Sequence, residues 1–567
     1  MARKQLTEQD IRDVFFQSDD EGDFAEEFNG SSSDSEDGDL PVNLVAIANP
    51  EPEGDGGRDE VEAVSSTGWR AASNFSPPGP AVFFDSSQSG VRTPPASLSE
   101  ASCFKLFLTE DLVRDIVEET NRYASQLQEQ SGPGVGKLAK WLPTNIDEMY
   151  SFLMAMLLMG VVKKSSLKEY WSTDPMLATP FFASLFSQDR FLLLLRCLHF
   201  QDNERADASD PLNKIRNIFH GLTSAFGRVF VPFKDLCIDE SLMLWKGRLR
   251  FRQFIPAKRH RFGVKFFVLC DVRTGYVQDM IIYTGSTTDI QHHDVLGISG
   301  SVVMTLLAPH PRKGHVLYVD NWYSSPTLFQ HLLSLGTGAC GTVRSNRKGM
   351  PPFTCKMKKG DVEFKENGQQ LAVKWHDKRD VHVISTVHAS GMAATGKVDR
   401  VTGEGIVKPC CVLDYNWKMG AVDKGDMLNS YVPCARKTTK WYKKIFFHLL
   451  DNAVLNGFIV HRQLSGKTIP YQEYRMNLIR QVLEVHHTAR RPSAGGRPAA
   501  DNPLRLTGRH FPSEIPQTGV QGNKTRRQCK VCKSSTRRTK QRQLTKYMCA
   551  PCNIPLCSAP FLRSTTL

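Results

Sequence analysis

The hydrophobic period of this chain changes twice, and those changes limit its fold more than any other feature. From about residue 101 to 230, apolar side chains recur at helical spacing. Leu112, Ile116, Val117 and Tyr123 follow an acidic turn after Thr109, and Ile215, Phe219, Leu222 and Phe226 repeat the pattern. Thr144 with Asp147 predicts a capping-box start for an apolar helix over 146–162, and Ser187 predicts a cap for the run 191–198. Near residue 235 the pattern becomes an alternation. Leu236 to Leu244, Val264 to Val272 and Gln278 to Thr284 read as strands, the last two joined by a turn at Arg273-Thr274-Gly275-Tyr276. His315 to Asp320 reads as a further strand and Pro326 to Leu335 as a helix; helical spacing returns over 440–463 and 470–486. The class is α+β, a sheet with interposed helices between two helical stretches.

At 567 residues the chain exceeds one compact core, so two to four folded units are expected. Charge divides it unevenly. Residues 1–100 hold 21 Asp and Glu against 6 Lys and Arg, with acidic, Ser-rich runs and few apolar clusters, which predicts a disordered acidic tail. The remainder holds 66 Lys and Arg against 38 acidic residues, and that excess predicts a polyanionic partner. An anionic membrane is the weaker choice, because the longest apolar run, Met149 to Val162, falls short of the ~20 residues a spanning helix needs. Arg3, Lys4, Glu8 and Asp10 precede any apolar stretch, so no signal peptide is expected. Nine of the 14 cysteines are scattered, unlike a disulfide framework, which also points inside the cell.

The strand-patterned region carries the acids that matter. Asp239 sits inside an apolar strand and Asp320 ends another; alternation sends Asp239 and Glu240 to opposite faces, so only one of them can join a shared cluster. Asp423 and Asp426 are spaced i, i+3, on one face of a helix. A buried carboxylate needs a cation or hydrogen bonds, and carboxylates without Cys or His beside them suit Mg²⁺ or Mn²⁺ better than zinc. Two such ions would serve phosphodiester chemistry. The plainer reading of any one of these acids is a cap, a turn or a salt-bridge partner.

Basic residues lie nearby. Arg248, Arg250 and Arg252 alternate with Leu249 and Phe251, which predicts a charged strand face, followed by Lys258, Arg259, Arg261 and Lys265. A solvated strand edge is the rival reading. Residues 490–546 hold 15 Lys and Arg against 2 acidic residues and lead into Cys529-x2-Cys532, Cys549-x2-Cys552 and Cys557, a zinc-binding pattern. Gly336-x-Gly338-x-x-Gly341 is no dinucleotide fingerprint, because it follows a helix and enters a strand, and Ser465-Gly466-Lys467-Thr468 is half a P-loop placed after a helix. His292-His293-Asp294 and His486-His487 read as solvated loop and helix-end histidines.

Several ordered motifs resemble the piggyBac transposase family. They are Ile238-Asp239-Glu240-Ser241, Pro256-x-Lys258-Arg259-x-Arg261-Phe262-Gly263-Val264-Lys265, Tyr318-Val319-Asp320-Asn321-Trp322-Tyr323 and Asn346-Arg347-Lys348-Gly349. Gly420-x-Val422-Asp423-x-x-Asp426, Trp441-Tyr442-Lys443-Lys444 and Arg509-His510-Phe511-Pro512 continue the series, so the resemblance covers about 103–557. It implies an RNase H-like catalytic core with an inserted domain, a split helical dimerisation and DNA-binding domain, and a C-terminal cross-brace zinc module that binds transposon ends. By motif, Asp239, Asp320 and Asp423 become metal-binding catalytic acids and Asp426 the fourth acid nearby. After Cys557 the family pattern continues with another Cys and a Tyr-His pair, whereas this chain reads Ser558 to Leu567, so the zinc module is expected to be incomplete. Cys529, Cys532, Cys549 and Cys552 can also close around one zinc as a ribbon.

The resulting expectation is a nuclear, homodimeric enzyme that cleaves and joins double-stranded DNA at terminal inverted repeats and TTAA targets, with Mg²⁺ or Mn²⁺ and Zn²⁺ and no small-molecule substrate. Arg344, Arg347, Lys348, Lys440, Lys443 and Lys444 join the expected DNA contacts. The expected domains are an acidic tail (1–100), helical domain (101–234 and 433–489), core (235–344 and 404–432), insertion (345–403), basic linker (490–525) and zinc module (526–567). A transposase-derived DNA-binding or chromatin-associated protein without transposition, and a simple metal-dependent nuclease, are the alternatives.

Overall fold

A computed structural model describes residues 68–131, 136–255, 262–398, 403–434, 438, 440–487, 512–516, 526–534, 544–549 and 553–556. The chain divides into two compact units, 1–489 and 490–567.

The first unit opens with a strap where disorder is expected up to residue 100. Strand β1 (Arg70–Ala71) pairs with a later strand at Glu366 and Lys365, the Trp69 indole donates to the Gly349 carbonyl (3.0 Å), and β2 (Gly90–Val91) pairs with β3 (Phe230–Val231). Sparse apolar anchors order this Ser/Pro/Gly-rich stretch: Phe84 lies against His315 with ring centroids 5.0 Å apart. Residues 68–99 therefore belong to the folded unit, a correction to the tail boundary.

Helices α1 (Glu100–Lys105), α2 (Glu110–Ser131), α3 (Ile146–Val161), α4 (Pro180–Leu185), α5 (Gln188–Cys197) and α6 (Arg216–Val229) follow. Helix α3 is buried almost all round from Met149 to Gly160, as its uniform apolarity dictates. Its cap is Asn145, which accepts from the Glu148 N–H, rather than Thr144; Thr144 is instead held through its own N–H by the Asn121 side chain. Ser187 caps α5 as expected.

The sheet begins at β4 (Asp235–Leu244). After β5 (Gln253–Phe254) come β6 (Phe262–Asp271) and β7 (Val277–Ile282), then α7 (Gly297–Leu307), β8 (Val316–Val319), α8 (Pro326–Ser334) and β9 (Gly338–Thr342). β4, β6 and β7 are antiparallel neighbours, while β8 runs parallel to β4, and β9 to β8. Strands after β9 extend this sheet: β12 (Asp380–Ser385) pairs with β9, then β11 (Leu371–His376), β10 (Val362–Glu366) and β1 follow outward. β13 (Met392–Val398) and β14 (Gly405–Pro409) form a separate hairpin. One sheet face, with Leu236, Ile238, Leu317 and Val319, packs on Val302, Leu306, Leu328 and Phe329 of α7 and α8. The other face meets α9 (Cys410–Lys418) and α10 (Ala421–Tyr431). Helices α11 (Trp441–Ser465) and α12 (Tyr471–His486) return to the helical core, where the buried Arg475 guanidinium donates to Asp451 (2.9 Å). Among the described residues no helix is long and apolar enough to cross a membrane.

In the second unit, β15 (Pro512–Glu514) is followed by β16 (Arg527–Gln528), α13 (Lys530–Ser534), β17 (Leu544–Thr545), β18 (Tyr547–Cys549) and β19 (Ile554–Pro555). β18 pairs antiparallel with β15 and β19, and β16 with β17.

Candidate active site

Parallel pairing of β4 with β8 sets Ile238 opposite Val319. Asp239 follows Ile238 within β4 and Asp320 follows Val319 where β8 ends, so both stand at this end of the pair; alternation turns Asp239 to the face opposite Ile238. Alternation places Cys237 and Ser241 on that face too, where the Cys237 thiol donates to the Met419 carbonyl (3.1 Å) and the Ser241 hydroxyl to Asp426 Oδ1 (2.8 Å). Helix α10 is thereby anchored over β4, with exposed Asp423 in its first turn and half-buried Asp426 beneath. Burial pushes the Cys237 thiol up, and the neighbouring Asp239 and Asp423 carboxylates push it further. Burial likewise raises the Tyr415 hydroxyl, with Thr342 opposing and Asp320 and Asp239 adding to the rise. Asp239 and Asp320 thus lie on the paired strands β4 and β8 or at their ends, and Asp423 and Asp426 on the helix packed against β4.

Asp320 is held by its own turn: the Trp322 N–H donates to Oδ1 (2.9 Å), and the Ser324 N–H and hydroxyl donate to the Asp320 carbonyl (3.1 and 2.9 Å). Burial raises its carboxyl above the ordinary value and Glu240 adds to the rise, while the Trp322 amide and Lys265 oppose it. Among the described residues, no three His, Cys, Asp or Glu side chains are drawn into a group that could hold a metal ion. The donor chemistry nevertheless fits a hard divalent cation, since oxygen donors and a half-buried carboxyl raised above its ordinary value call for positive charge.

The expected basic contacts fall into different environments. Arg248, Arg250 and Lys348 are exposed, and Arg344, Lys440 and Lys444 are half-buried. The stretch 245–252 is a loop rather than the expected strand, and the Arg252 guanidinium braces it from inside by donating to the Lys246 and Gly247 carbonyls (2.7 and 3.2 Å). Lys265 points inward: its ammonium pairs with Glu240 (2.7 Å) and lies 4.7 Å from the Phe267 ring centroid and 4.8 Å from that of Trp322. Lys443 is also buried and donates to the Leu195 and Arg196 carbonyls (2.9 and 2.8 Å), closing the end of α5; burial pulls its ammonium down to about 7. Arg347 donates to the Asn321 and Trp322 carbonyls (2.7 and 3.0 Å), tethering the turn after Asp320. Lys265 and Lys443 are therefore supports of the fold, not contacts for an external strand. Lys258, Arg259 and Arg261 lie outside the described residues.

One polar cluster was not anticipated from the sequence. Tyr318 donates to Asp414 Oδ2 (2.5 Å), His388 Nε2 lies 3.0 Å from the same oxygen, and Lys418 lies 3.2 Å from Asp414 and 3.1 Å from Asp235. Burial pushes the Asp414 carboxyl up, but His388, Tyr318 and Lys418 outweigh it and hold the group well below the carboxylate range. The cluster ties the loop after β12 and α9 to β8. Its only sequence signal is the alternation that aims Tyr318 at α9.

In the second unit, Cys529 precedes α13, Cys532 lies within it and Cys549 ends β18; Cys529 and Cys549 are buried. Cys552 and Cys557 lie outside the described residues.

Two aspartates at the β4–β8 pair, a helix bearing two more and flanking helices make up this region. A family model described as Transposase IS4 matches residues 99–458, and a second, described as a DDE_Tnp_1-like zinc finger, matches 510–564. The chain belongs to this family, in its piggyBac-type branch. It is 25% identical over 415 residues to piggyBac transposable element-derived protein 3 of Homo sapiens, covering 70% of this chain and 67% of that one. It is 26% identical over 381 residues to derived protein 2 of Homo sapiens, covering 64% and 62%, so the chain spans about two thirds of the length of these relatives. A cryo-EM structure of a piggyBac transposase synaptic complex with hairpin DNA shares the fold, with a TM-score of 0.62, 24% identity, and coverage of 83% of this chain and 99% of that one.

Proposed function

We propose that this protein is a DNA-cleaving and strand-transferring piggyBac-type transposase, with Asp239, Asp320 and Asp423 as its metal-binding acids and Asp426 as their support. The observation that supports this reading is the pairing of β4 with β8, whose last shared pair, Ile238 with Val319, directly precedes Asp239 and Asp320, with the helix that bears Asp423 packed on β4. Mg²⁺ or Mn²⁺ held by these carboxylates would activate a water or a 3′-hydroxyl and stabilise the leaving oxygen of a phosphodiester. The chain's own part is positioning. The turn amides fix Asp320, Ser241 fixes Asp426, and Arg248, Arg250 and Lys348 are exposed cations suited to phosphate contact.

The sheet order β7-β6-β4-β8-β9, antiparallel then parallel, supports an RNase H-like core interrupted by the insertion at 345–403. In this reading the protein works in the nucleus as a homodimer on duplex DNA, recognises terminal inverted repeats through a zinc-stapled second unit, and joins at TTAA. Cys529, Cys532, Cys549, Cys552 and Cys557 supply the zinc ligands, as a cross-brace or a ribbon.

A second reading, a transposase-derived DNA-binding protein without transposition, is suggested by the transposable element-derived proteins among its relatives. Excision and TTAA joining in cells, with a donor carrying the terminal repeats of its relatives, separates the two. Joining that is lost in Asp320→Asn, with DNA affinity retained, supports the enzyme. Joining that survives Asp320→Asn overturns the assignment of the acids, and DNA binding without joining in the unaltered protein supports the second reading.

A further inference from the structure

Helix α10 presents an exposed face that starts at Asp423 and runs towards its C-terminal end. Asp423, Met427 and Tyr431 are spaced by four, a single stripe, and all three are exposed, Met427 at 49% and Tyr431 at 63%. Lys424 is exposed beside Asp423. Trp417, in the last turn of α9 just before this helix, is 78% exposed, whereas the other seven tryptophans of the chain are buried or half-buried.

We propose that this stripe, with Trp417, binds unpaired nucleobases of the DNA strand whose phosphate lies at the aspartates; the inference rests on the DNA-processing reading above. Four residues of helix rise about 6 Å, so Met427 and Tyr431 stand about 6 and 12 Å along the axis from Asp423. Successive nucleotides of a stacked strand are about 3.4 Å apart, so the stripe is as long as three or four of them. Bases in a duplex have their faces covered by their neighbours, and only an unpaired base offers a π-face to Trp, Tyr or a Met thioether. Lys424 supplies a cation for the backbone between them. A protein partner fits less well. A stable interface buries about 800 Å² on each side, an aromatic side chain contributes about 150–250 Å², and a protein seated on Asp423 would close the site.

The test uses the full chain with Ca²⁺ replacing the catalytic ion, and fluorescence anisotropy with two probes: a blunt duplex, and the same duplex with an unpaired extension of a few nucleotides. The unaltered protein is expected to prefer the extended probe roughly tenfold, the worth of one or two stacked bases. Tyr431→Ala and Trp417→Ala are each expected to shrink that preference, the double variant to abolish it, and Tyr431→Phe to keep it. Unchanged thermal unfolding certifies the fold of these surface variants. Equal affinity of the unaltered protein for both probes, or a preference surviving in the double variant, overturns the inference. If acid-dependent cleavage persists in that case, the transposase reading stands without it; binding of neither probe overturns both.

Discussion

Strand alternation made some residues legible and misassigned others. Asp239 and Asp320 could be read together because each breaks an apolar run, and parallel pairing of their strands puts both directly after the last shared pair. Lys265 was misread because its charge was weighed and its face was not. It shares a face with Phe267, which is buried, and a lysine there has to find an anion, which Glu240 supplies. Removing one partner of such a pair leaves a buried charge, so Lys265→Met should cost about 3–5 kcal/mol, and adding Glu240→Met should recover part of that loss. Urea unfolding of the single and double variants measures it; additive losses would show that the pair is not coupled. His199 offers a pH test in the helical core, far from the acids in sequence. Its Nε2 donates to Asn203 Oδ1 (2.9 Å), Tyr123 stacks on it at 4.1 Å, and Tyr442 lies 3.3 Å from Nδ1. Burial pulls its imidazole down to about 4, with Asn203 opposing and Lys443, Lys214 and Lys440 adding to the fall. The unfolded chain therefore takes up this proton near pH 6.5 and the folded chain only near 4, so stability is full above 6.5 and falls as the pH drops through that window, by about 3 kcal/mol in all. The pH dependence of the unfolding midpoint should flatten by one proton in His199→Gln; an unchanged slope would place the titration elsewhere.

Elements were easier to find than their boundaries and caps. The strands β4, β6, β7 and β8 and the helices α3, α8, α11 and α12 emerged within a residue or two because their apolar periods run long, whereas the cap of α3 moved from Thr144 to Asn145, a choice between neighbouring polar residues that spacing alone does not make. The loop at 245–252 imitates a strand in sequence but is folded back by Arg252, a contact invisible to periodicity. The strap at 68–99 was hidden for the opposite reason: its composition is that of disorder, and its order comes from contacts distant in sequence. Gly314 shows how closely it is fitted. Its φ is +75°, and an added Cβ would stand 2.6 Å from the Phe84 nitrogen and from the Val82 oxygen. Gly314→Ala should therefore cost at least about 1 kcal/mol for the left-handed backbone alone and lift the strap. Hydrogen exchange should then rise across 80–92 more than in β4 or β8; uniform protection would show that the strap adjusts instead.

At the scale of the whole molecule, the separation of charge was plain in the sequence, but its purpose depends on which surfaces remain free. Some basic residues are spent on the fold, Lys265 and Lys443 among them, while Arg248, Arg250, Lys348 and Lys424 stay exposed. Residues 1–67 hold 19 acidic against 4 basic residues and precede a strap that is anchored on the same unit as those cations. A tethered polyanion competes with DNA for exposed cations at a high effective concentration, so it should weaken non-specific binding. Because the competition is electrostatic, salt should erase it: the Debye length shrinks from ~30 Å at 0.01 M to ~8 Å at 0.15 M. A chain lacking residues 1–67 should accordingly bind a blunt, mixed-sequence duplex more tightly than the full chain at low salt, with the difference closing as salt rises, in anisotropy titrations at several ionic strengths. Equal affinity at low salt would mean that the tail does not reach the basic surface. A difference that persisted at high salt would mean that the tail contacts this unit through apolar side chains rather than through its charge.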